Sequence, residues 1–134
     1  DYAHTPDAYE RVLINICRLN TNLKNLYVLF GAGGDRDKFK RKKMGEIVEN
    51  FATHAFIVPD NPRTEDPVAI FKNIKSGVKK NNYTLFNDRD LGIKTVLSNS
   101  KKNDIVVILG KGRENYQIIA ELNRTDISIV KIVR

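Results

Sequence analysis

An α/β domain in three layers, with a mostly parallel sheet flanked by helices, is predicted by three features of this sequence. Short apolar runs rich in strand formers alternate with longer segments whose apolar residues recur at helical spacing. Residues 26–30 and 105–109 are continuously apolar, as strands covered on both faces are. Polar loops containing glycine or proline follow the strands, at the carboxyl ends where open parallel sheets bind ligands.

The chain opens with polar residues and then turns into a helix. Thr5 suits the N-cap, Pro6 the first helical position, and Asp7 and Glu10 the positive helix start. Tyr9, Val12, Leu13, Ile16 and Cys17 recur at helical spacing to about Leu19, so Cys17 is expected to pack inside. Leu26-Tyr27-Val28-Leu29-Phe30 is the first strand, and Gly31-Ala32-Gly33-Gly34 follows at once. Met44, Ile47, Val48 and Phe51 mark a second helix, with His54 at its end. Residues 55–58 form the second strand. After a proline-rich loop, a third helix starts near Pro67 and carries Ala69, Ile70, Phe71, Ile74 and Val78. Tyr83-Thr84-Leu85-Phe86 is a third strand, and Asn87 or Asp88 caps a helix bearing Leu91, Ile93, Val96 and Leu97. Residues 104–109 are the fourth strand, residues 116–122 read as a last one, and residues 127–133 fit strand or helix equally. Strands and helices alternating in this way imply right-handed crossovers and a Rossmann-like layering.

At 134 residues the chain fits one domain with its own core. An apolar fraction of 41% and a charged fraction of 29% are ordinary for a soluble globular protein. No run approaches the roughly 18 apolar residues of a membrane span, and no signal peptide is expected. The single Cys17 excludes an internal disulfide framework and suits a cytoplasmic setting. His4 and His54 are too isolated to suggest a metal site. Net charge is +7, from 23 basic and 16 acidic side chains, which suits nucleic acid or anionic small molecules such as nucleotides. The chain begins Asp1-Tyr2-Ala3-His4 without an initiator Met, and is expected to be a segment of something longer.

The sharpest chemistry lies in Val58-Pro59-Asp60-Asn61-Pro62-Arg63-Thr64-Glu65-Asp66-Pro67. Each proline fixes its own φ and extends the residue before it, so Asp60 and Arg63 are displayed with little entropy left to lose. The planar fork of Arg63 suits a carboxylate, and the oxygens of Asp60 suit an ammonium. A zwitterionic ligand would use both; the competing reading is a rigid connection whose charges face water. Around Gly31-Ala32-Gly33-Gly34 the dinucleotide fingerprint is broken, because Arg36 stands where a glycine is needed, and no Walker ending follows. Residues 38–43 hold five basic side chains in six positions. They form a solvated helix start or contact phosphate; basic residues there oppose the helix dipole, which favours an anionic partner. Glu114, after the last buried strand, can accept an ammonium. The strand-end loops at residues 31–36, 60–63, 87–89 and 110–114 should all face one crevice beyond the strands' carboxyl ends. The rival is a non-catalytic nucleotide- or nucleic-acid-binding module. The core positions of most Tyr and Phe residues, and acids interleaved with the bases, count against it.

Five motifs in order carry a family resemblance. They are Asp1-Tyr2-Ala3-His4-Thr5-Pro6-Asp7, Gly33-Gly34-Asp35-Arg36-Asp37-Lys38, Met44-Gly45-Glu46-Ile47, Asp60-Asn61-Pro62-Arg63-Thr64-Glu65-Asp66-Pro67 and Gly110-Lys111-Gly112-x-Glu114-x-Tyr116-Gln117. From Asp1 to about Ile119 the chain resembles the C-terminal domain of the Mur ligases, in the group that adds the third residue of the peptidoglycan stem peptide.

The resemblance implies an ATP-dependent amide synthesis in the cytoplasm, on UDP-MurNAc-L-Ala-D-Glu, through an acyl phosphate. It implies that residues 1–134 are the amino-acid-binding, closing domain. The UDP-sugar-binding domain and the central ATPase domain, which holds most of the Mg2+ site, would precede it and are absent from this chain, so the chain alone is expected to be inactive. Carried over by matching motif, Arg36, Asp60, Asn61, Pro62, Arg63, Gly110 and Glu114 would bind the incoming diamino acid. Asp1, Tyr2 and His4 would meet the nucleotide; no metal ligand and no general base is assigned. The chemistry of the residues agrees with a meso-diaminopimelate substrate. Its distal end bears a carboxylate for Arg36 and Arg63 and an ammonium for Asp60 and Glu114, whereas lysine would leave the arginine fork unpaired. The thioether analogue meso-lanthionine stays open, because Arg113 stands where the family usually has His. Phe39 and Lys42 also depart from the family's usual glycine and proline. No nucleic acid or membrane partner is expected.

Overall fold

The computed structural model describes residues 3–112 in full, together with the backbone of residues 116–119 and 122–125. Asp1, Tyr2, Arg113, Glu114 and residues 127–133 lie outside the described residues. Helices and strands alternate as α1 (Pro6–Leu19), β1 (Asn25–Phe30), α2 (Lys38–Phe51), β2 (His54–Ile57), α3 (Pro67–Lys75), β3 (Tyr83–Leu85), α4 (Arg89–Asn99) and β4 (Asp104–Ile108). Each helix starts on a side chain that accepts from its own first turn: Thr5 from Ala8, Asp37 from Phe39, Asp66 from Val68 and Asp88 from Leu91. Further on, β5 (Tyr116–Ile119) and β6 (Leu122–Thr125) pair antiparallel in a sheet of their own. The single strand expected over residues 116–122 is therefore replaced by two short antiparallel strands.

The main sheet runs β3-β2-β1-β4, and every neighbouring pair is parallel. Two successive right-handed crossovers in one direction put α2 and α3 on the same face, and the return from β3 to β4 puts α4 on the other. The two cores follow that geometry. Val28, Phe30, Ala55, Ile57, Ile105 and Val107 pack under α1, α2 and α3. Leu29, Phe56, Val106 and Ile108, the alternate positions, pack under Ile93 and Val96 of α4. The expected three layers are thus present.

Three local expectations are corrected. Cys17 is exposed, because the buried stripe of α1 is Tyr9, Leu13 and Ile16, and Cys17 falls just past its edge. His54 does not end a helix. It opens β2, and its Nε2 lies 2.8 Å from Thr84 Oγ1, half-buried, with burial lowering its pKa. Val78 is buried but lies beyond α3, after a turn in which Gly77 N donates to Ile74 O at 3.0 Å. No helix among the described residues is long and apolar enough to cross a membrane.

A buried guanidinium fastens the layer above the sheet. Arg41, in the first turns of α2, is only 1% exposed. Its Nη1 donates to Glu65 Oε2 at 2.8 Å and Asn73 Oδ1 at 3.0 Å; its Nη2 donates to Glu65 Oε1 at 2.8 Å and Gly33 O at 2.9 Å. α2, α3 and the loops after β1 and β2 therefore share one charged group. The Arg41 bonds, helped by the Asp35 N–H, hold the Glu65 carboxyl down from its ordinary 4.5 to about 2.

Because the folded pKa of Glu65 lies below its unfolded value, the unfolded chain binds the proton first as pH falls. The stabilisation from this carboxylate should be complete above about pH 5, decline below that, and be gone near pH 2. Urea unfolding of the wild type and Glu65→Gln at several pH values should show a stability gap that is constant from pH 7 to about 5 and closes toward pH 2.

Candidate functional site

In the order β3-β2-β1-β4 the chain crosses from β1 to β2 on one side and comes back to β4 on the other, so the strand order reverses between β1 and β4 at a topological switch point. A cavity of about 400 Å³ opens there. The loop after β1 supplies Gly31, Gly33 and Arg36, and the loop after β2 supplies Asp60, Asn61 and Arg63. Gly110 comes from the end of β4, and His4 and Thr5 from the start of α1. The volume is that of a small-molecule site.

The first two loops are bound to each other. Gly34 N donates to Asn61 O at 2.7 Å, and a Cβ on Gly34 would stand 1.7 Å from Pro62 O, so only glycine lets the two backbones meet. Thr64 Oγ1 donates to Asp35 Oδ1 at 2.6 Å, and Asp35 N donates to Glu65 Oε1 at 2.7 Å. Asp35 and Arg63 both take left-handed backbone, with φ of 53° and 51°. For residues bearing a Cβ this costs roughly 1–2 kcal/mol each. In this conformation Arg63 Nη1 donates to Gly34 O at 3.0 Å and Asn61 O at 3.3 Å, which fixes its guanidinium over the glycine loop. Neither Arg63 nor Arg36 has an acidic partner among the described residues.

Beneath the cavity, Arg89 of α4 is buried, donating to Pro59 O at 3.4 Å and Leu109 O at 3.2 Å. These carbonyls precede Asp60 and Gly110, so one guanidinium spaces the two loops across the switch point. Gly110 has φ of 108°, and Asp60 Oδ2 lies 3.2 Å from where its Cβ would be. A side chain there would be strained and would push the carboxylate aside. Tyr9 closes the floor, its hydroxyl donating to Gly31 O at 3.3 Å. Burial first, and then the Asp60 carboxylate, push that hydroxyl far above its ordinary pKa while Arg89 pulls it down, so it stays a neutral donor.

Of the residues singled out from sequence, Arg36, Asp60, Asn61, Arg63, Gly110 and His4 line this one cavity. Pro62 is buried with its carbonyl against Gly34, shaping the loop rather than lining the space. Asp1, Tyr2 and Glu114 fall outside the described residues. Asn87 and Asp88 do not line the cavity: Asp88 caps α4, and Arg89 works from below. The basic run divides, with Lys40 and the almost wholly buried Arg41 lining the cavity, and Lys42 and Lys43 near Glu46 on the surface. Arg41, Arg89 and Tyr9 belong to the site although no motif marks them. Among the described residues no aromatic ring lines the cavity; Tyr9 packs edge-on to Phe30 at 5.8 Å and Phe56 stacks on Phe86 at 6.2 Å.

Comparison with known proteins gives a consistent picture. Residues 1–112 match the family described as Mur ligase, glutamate ligase domain. The UDP-N-acetylmuramoyl-L-alanyl-D-glutamate--2,6-diaminopimelate ligase of Rickettsia bellii is 47% identical over 121 residues, 90% of this chain and 26% of the relative. The ligase of the same name from Rickettsia felis is 46% identical over 90% of this chain and 23% of its own length. A solved structure of a ligase with that name has 42% identity and a TM-score of 0.85, covering 94% of this chain and 26% of its own. The bifunctional folylpolyglutamate synthase/dihydrofolate synthase of Yersinia pestis shares the fold, at 14% identity and a TM-score of 0.63, over 82% of this chain and 24% of its own. The chain spans about a quarter of the length of the curated relatives it matches. With the family matched over most of its residues and the sheet, crossovers and cavity in agreement, the chain belongs to the Mur ligase family, glutamate ligase domain.

Proposed function

We propose that this chain is the amino-acid-binding and closing domain of an ATP-dependent amide ligase that adds meso-diaminopimelate, or the close analogue meso-lanthionine, to UDP-MurNAc-L-Ala-D-Glu. The observation that carries this reading is the convergence of Arg36, Asp60, Asn61, Arg63 and Gly110, from three separate loops, on one cavity at the switch point. Two arginines with no acidic partner among the described residues call for a carboxylate, and Asp60 set against Gly110 offers an acceptor to an ammonium. A diamino diacid brings both groups at its far end. The names of the relatives support the same substrate.

In this reading ATP, with Mg2+, activates the stem-peptide carboxylate as an acyl phosphate, which the bound amine then attacks. The present residues hold and orient that amine and exclude water from a hydrolysable intermediate, so their contribution to rate is positioning. Among the described residues no three His, Cys, Asp or Glu side chains gather in metal-binding range, and we assign Mg2+ to the part of the longer relatives beyond this chain. His4, exposed at the cavity edge, fits a contact to the nucleotide, and Asp1 and Tyr2 are proposed to join it. Glu114 is proposed to share the ammonium with Asp60. The cytoplasmic location follows from the nucleotide-linked substrate.

Amino-acid-dependent ADP release by the full-length ligase carrying this chain tests the reading. The wild type should prefer meso-diaminopimelate to lysine, and Arg63→Ala should raise the KM for meso-diaminopimelate by roughly 10- to 100-fold while narrowing that preference. A wild type that prefers lysine, or an Arg63→Ala variant with undiminished discrimination, would show the assignment to be wrong.

Gly110→Ala gives a second check. The added methyl meets strained backbone and the Asp60 carboxylate, so the KM for the diamino acid should rise by about 10-fold or more, with the KM for ATP little changed.

A further inference from the structure

The peptide of Gly33 is held from two sides. Arg41 Nη2 takes its carbonyl at 2.9 Å, and Arg63 Nη1 lies 2.9 Å from the point a Cβ on Gly33 would occupy. The same Arg41 grips both carboxylate oxygens of Glu65, two residues beyond Arg63, and Glu65 N in turn donates to Pro62 O at 3.0 Å. We propose that Arg41 is a positioning residue for substrate selection: through Gly33 and Glu65 it fixes the two loops that aim Arg63 at the distal carboxylate of the amino acid. This rests on the function proposed above and adds to it a residue at the cavity wall whose two terminal nitrogens both bond the protein.

Where the bonds of Arg41 go separates this role from ordinary core packing. Three of its four acceptors, both Glu65 oxygens and Gly33 O, belong to the cavity loops, and only Asn73 Oδ1 belongs to a helix. The held segments also contain both non-glycine residues at the cavity with left-handed φ, Asp35 and Arg63. A backbone of that kind persists only where its surroundings determine it. Thr64, between Arg63 and Glu65, adds an exposed second tie by bonding Asp35 through both its hydroxyl and its N–H. Lysine at position 41 would keep the charge but present a point donor on a flexible stem, and could not serve four acceptors set around a planar fork. The loops would then relax, and Arg63 would sample orientations away from the ligand.

The test uses the full-length ligase, with steady-state KM values for meso-diaminopimelate, ATP and UDP-MurNAc-L-Ala-D-Glu, and the ratio of kcat/KM for meso-diaminopimelate to that for lysine. Arg41→Lys should raise the KM for meso-diaminopimelate about 10-fold or more and lower the ratio toward that of Arg63→Ala. Its kcat and its other KM values should stay within about 2-fold of wild type. Thr64→Val, which cuts only the exposed hydroxyl tie, should move the same two quantities in the same direction by about 3-fold, and it decides the matter should Arg41→Lys fail to fold. The proposal is overturned if these variants lose kcat and all three KM values together, or if they lower only the melting temperature and leave the ratio untouched. A wild type with no preference for meso-diaminopimelate would instead sink the functional reading, and this proposal with it.

Discussion

One guanidinium, that of Arg41, decides whether the cavity exists as a shaped site. The loops after β1 and β2 leave adjacent strands, but sheet pairing stops at Phe30 and Ile57 and does not constrain the chain past them. There the loops are joined by the Gly34–Asn61 backbone bond, by Asp35 with Thr64, and by the Glu65 carboxylate. Arg41 ties the last of these to the body of the domain through α2 and α3. A bidentate guanidinium–carboxylate pair is directional as well as strong, so it fixes orientation where a point charge would fix only distance. Glu65 stays ionised far below neutral pH, so the tie is insensitive to physiological proton changes.

The second constraint is topological. Because the crossovers after β1 and β2 run one way and the crossover after β3 runs back, the strand order reverses between the neighbours β1 and β4, and a crevice opens at their carboxyl ends. The gap between them cannot be filled by the connections that create it. Arg89 sits at the base of this gap and holds the carbonyls of Pro59 and Leu109, which keeps Asp60 beside Gly110. Above the sheet and below it, the walls are therefore set by arginines whose terminal nitrogens bond the protein.

The layers and the sheet were legible from period alone, since each buried strand and amphipathic helix reports its own face. The convergence of residues 31–36, 60–63 and 110 was legible too, from strand ends and turn chemistry rather than from any motif. The roles of Arg41 and Arg89 were not, although a signal existed. Arg41 falls three and seven residues before Met44 and Val48, and Arg89 four and seven before Ile93 and Val96, so each sits on its helix's buried stripe. Counting a basic run as a surface feature hid the first of them. Cys17 erred the opposite way, being apolar by type but just past the stripe of Tyr9, Leu13 and Ile16. His54 stands where a helix gives way to a strand within three residues, too short a span for period to place a boundary.

The four arginines of the site thus divide by what answers their charge. Arg41 and Arg89 are almost wholly buried, and their terminal nitrogens are served by a carboxylate or by backbone carbonyls, although each Nε lacks a hydrogen-bond partner. Arg36 and Arg63 line the cavity without an ion pair among the described residues, and water can solvate them only while the cavity is open. If, as proposed above, a larger ligase closes over this face, that water is lost and each unmatched donor group costs about 1–3 kcal/mol. A ligand ending in an ammonium alone leaves that cost in place and adds a further positive charge; one ending in a carboxylate and an ammonium removes it and brings its ammonium to the Asp60 side of the cavity. Selection for a diamino diacid is then a property of the closed state. It works by penalising the wrong ligand as much as by gripping the right one.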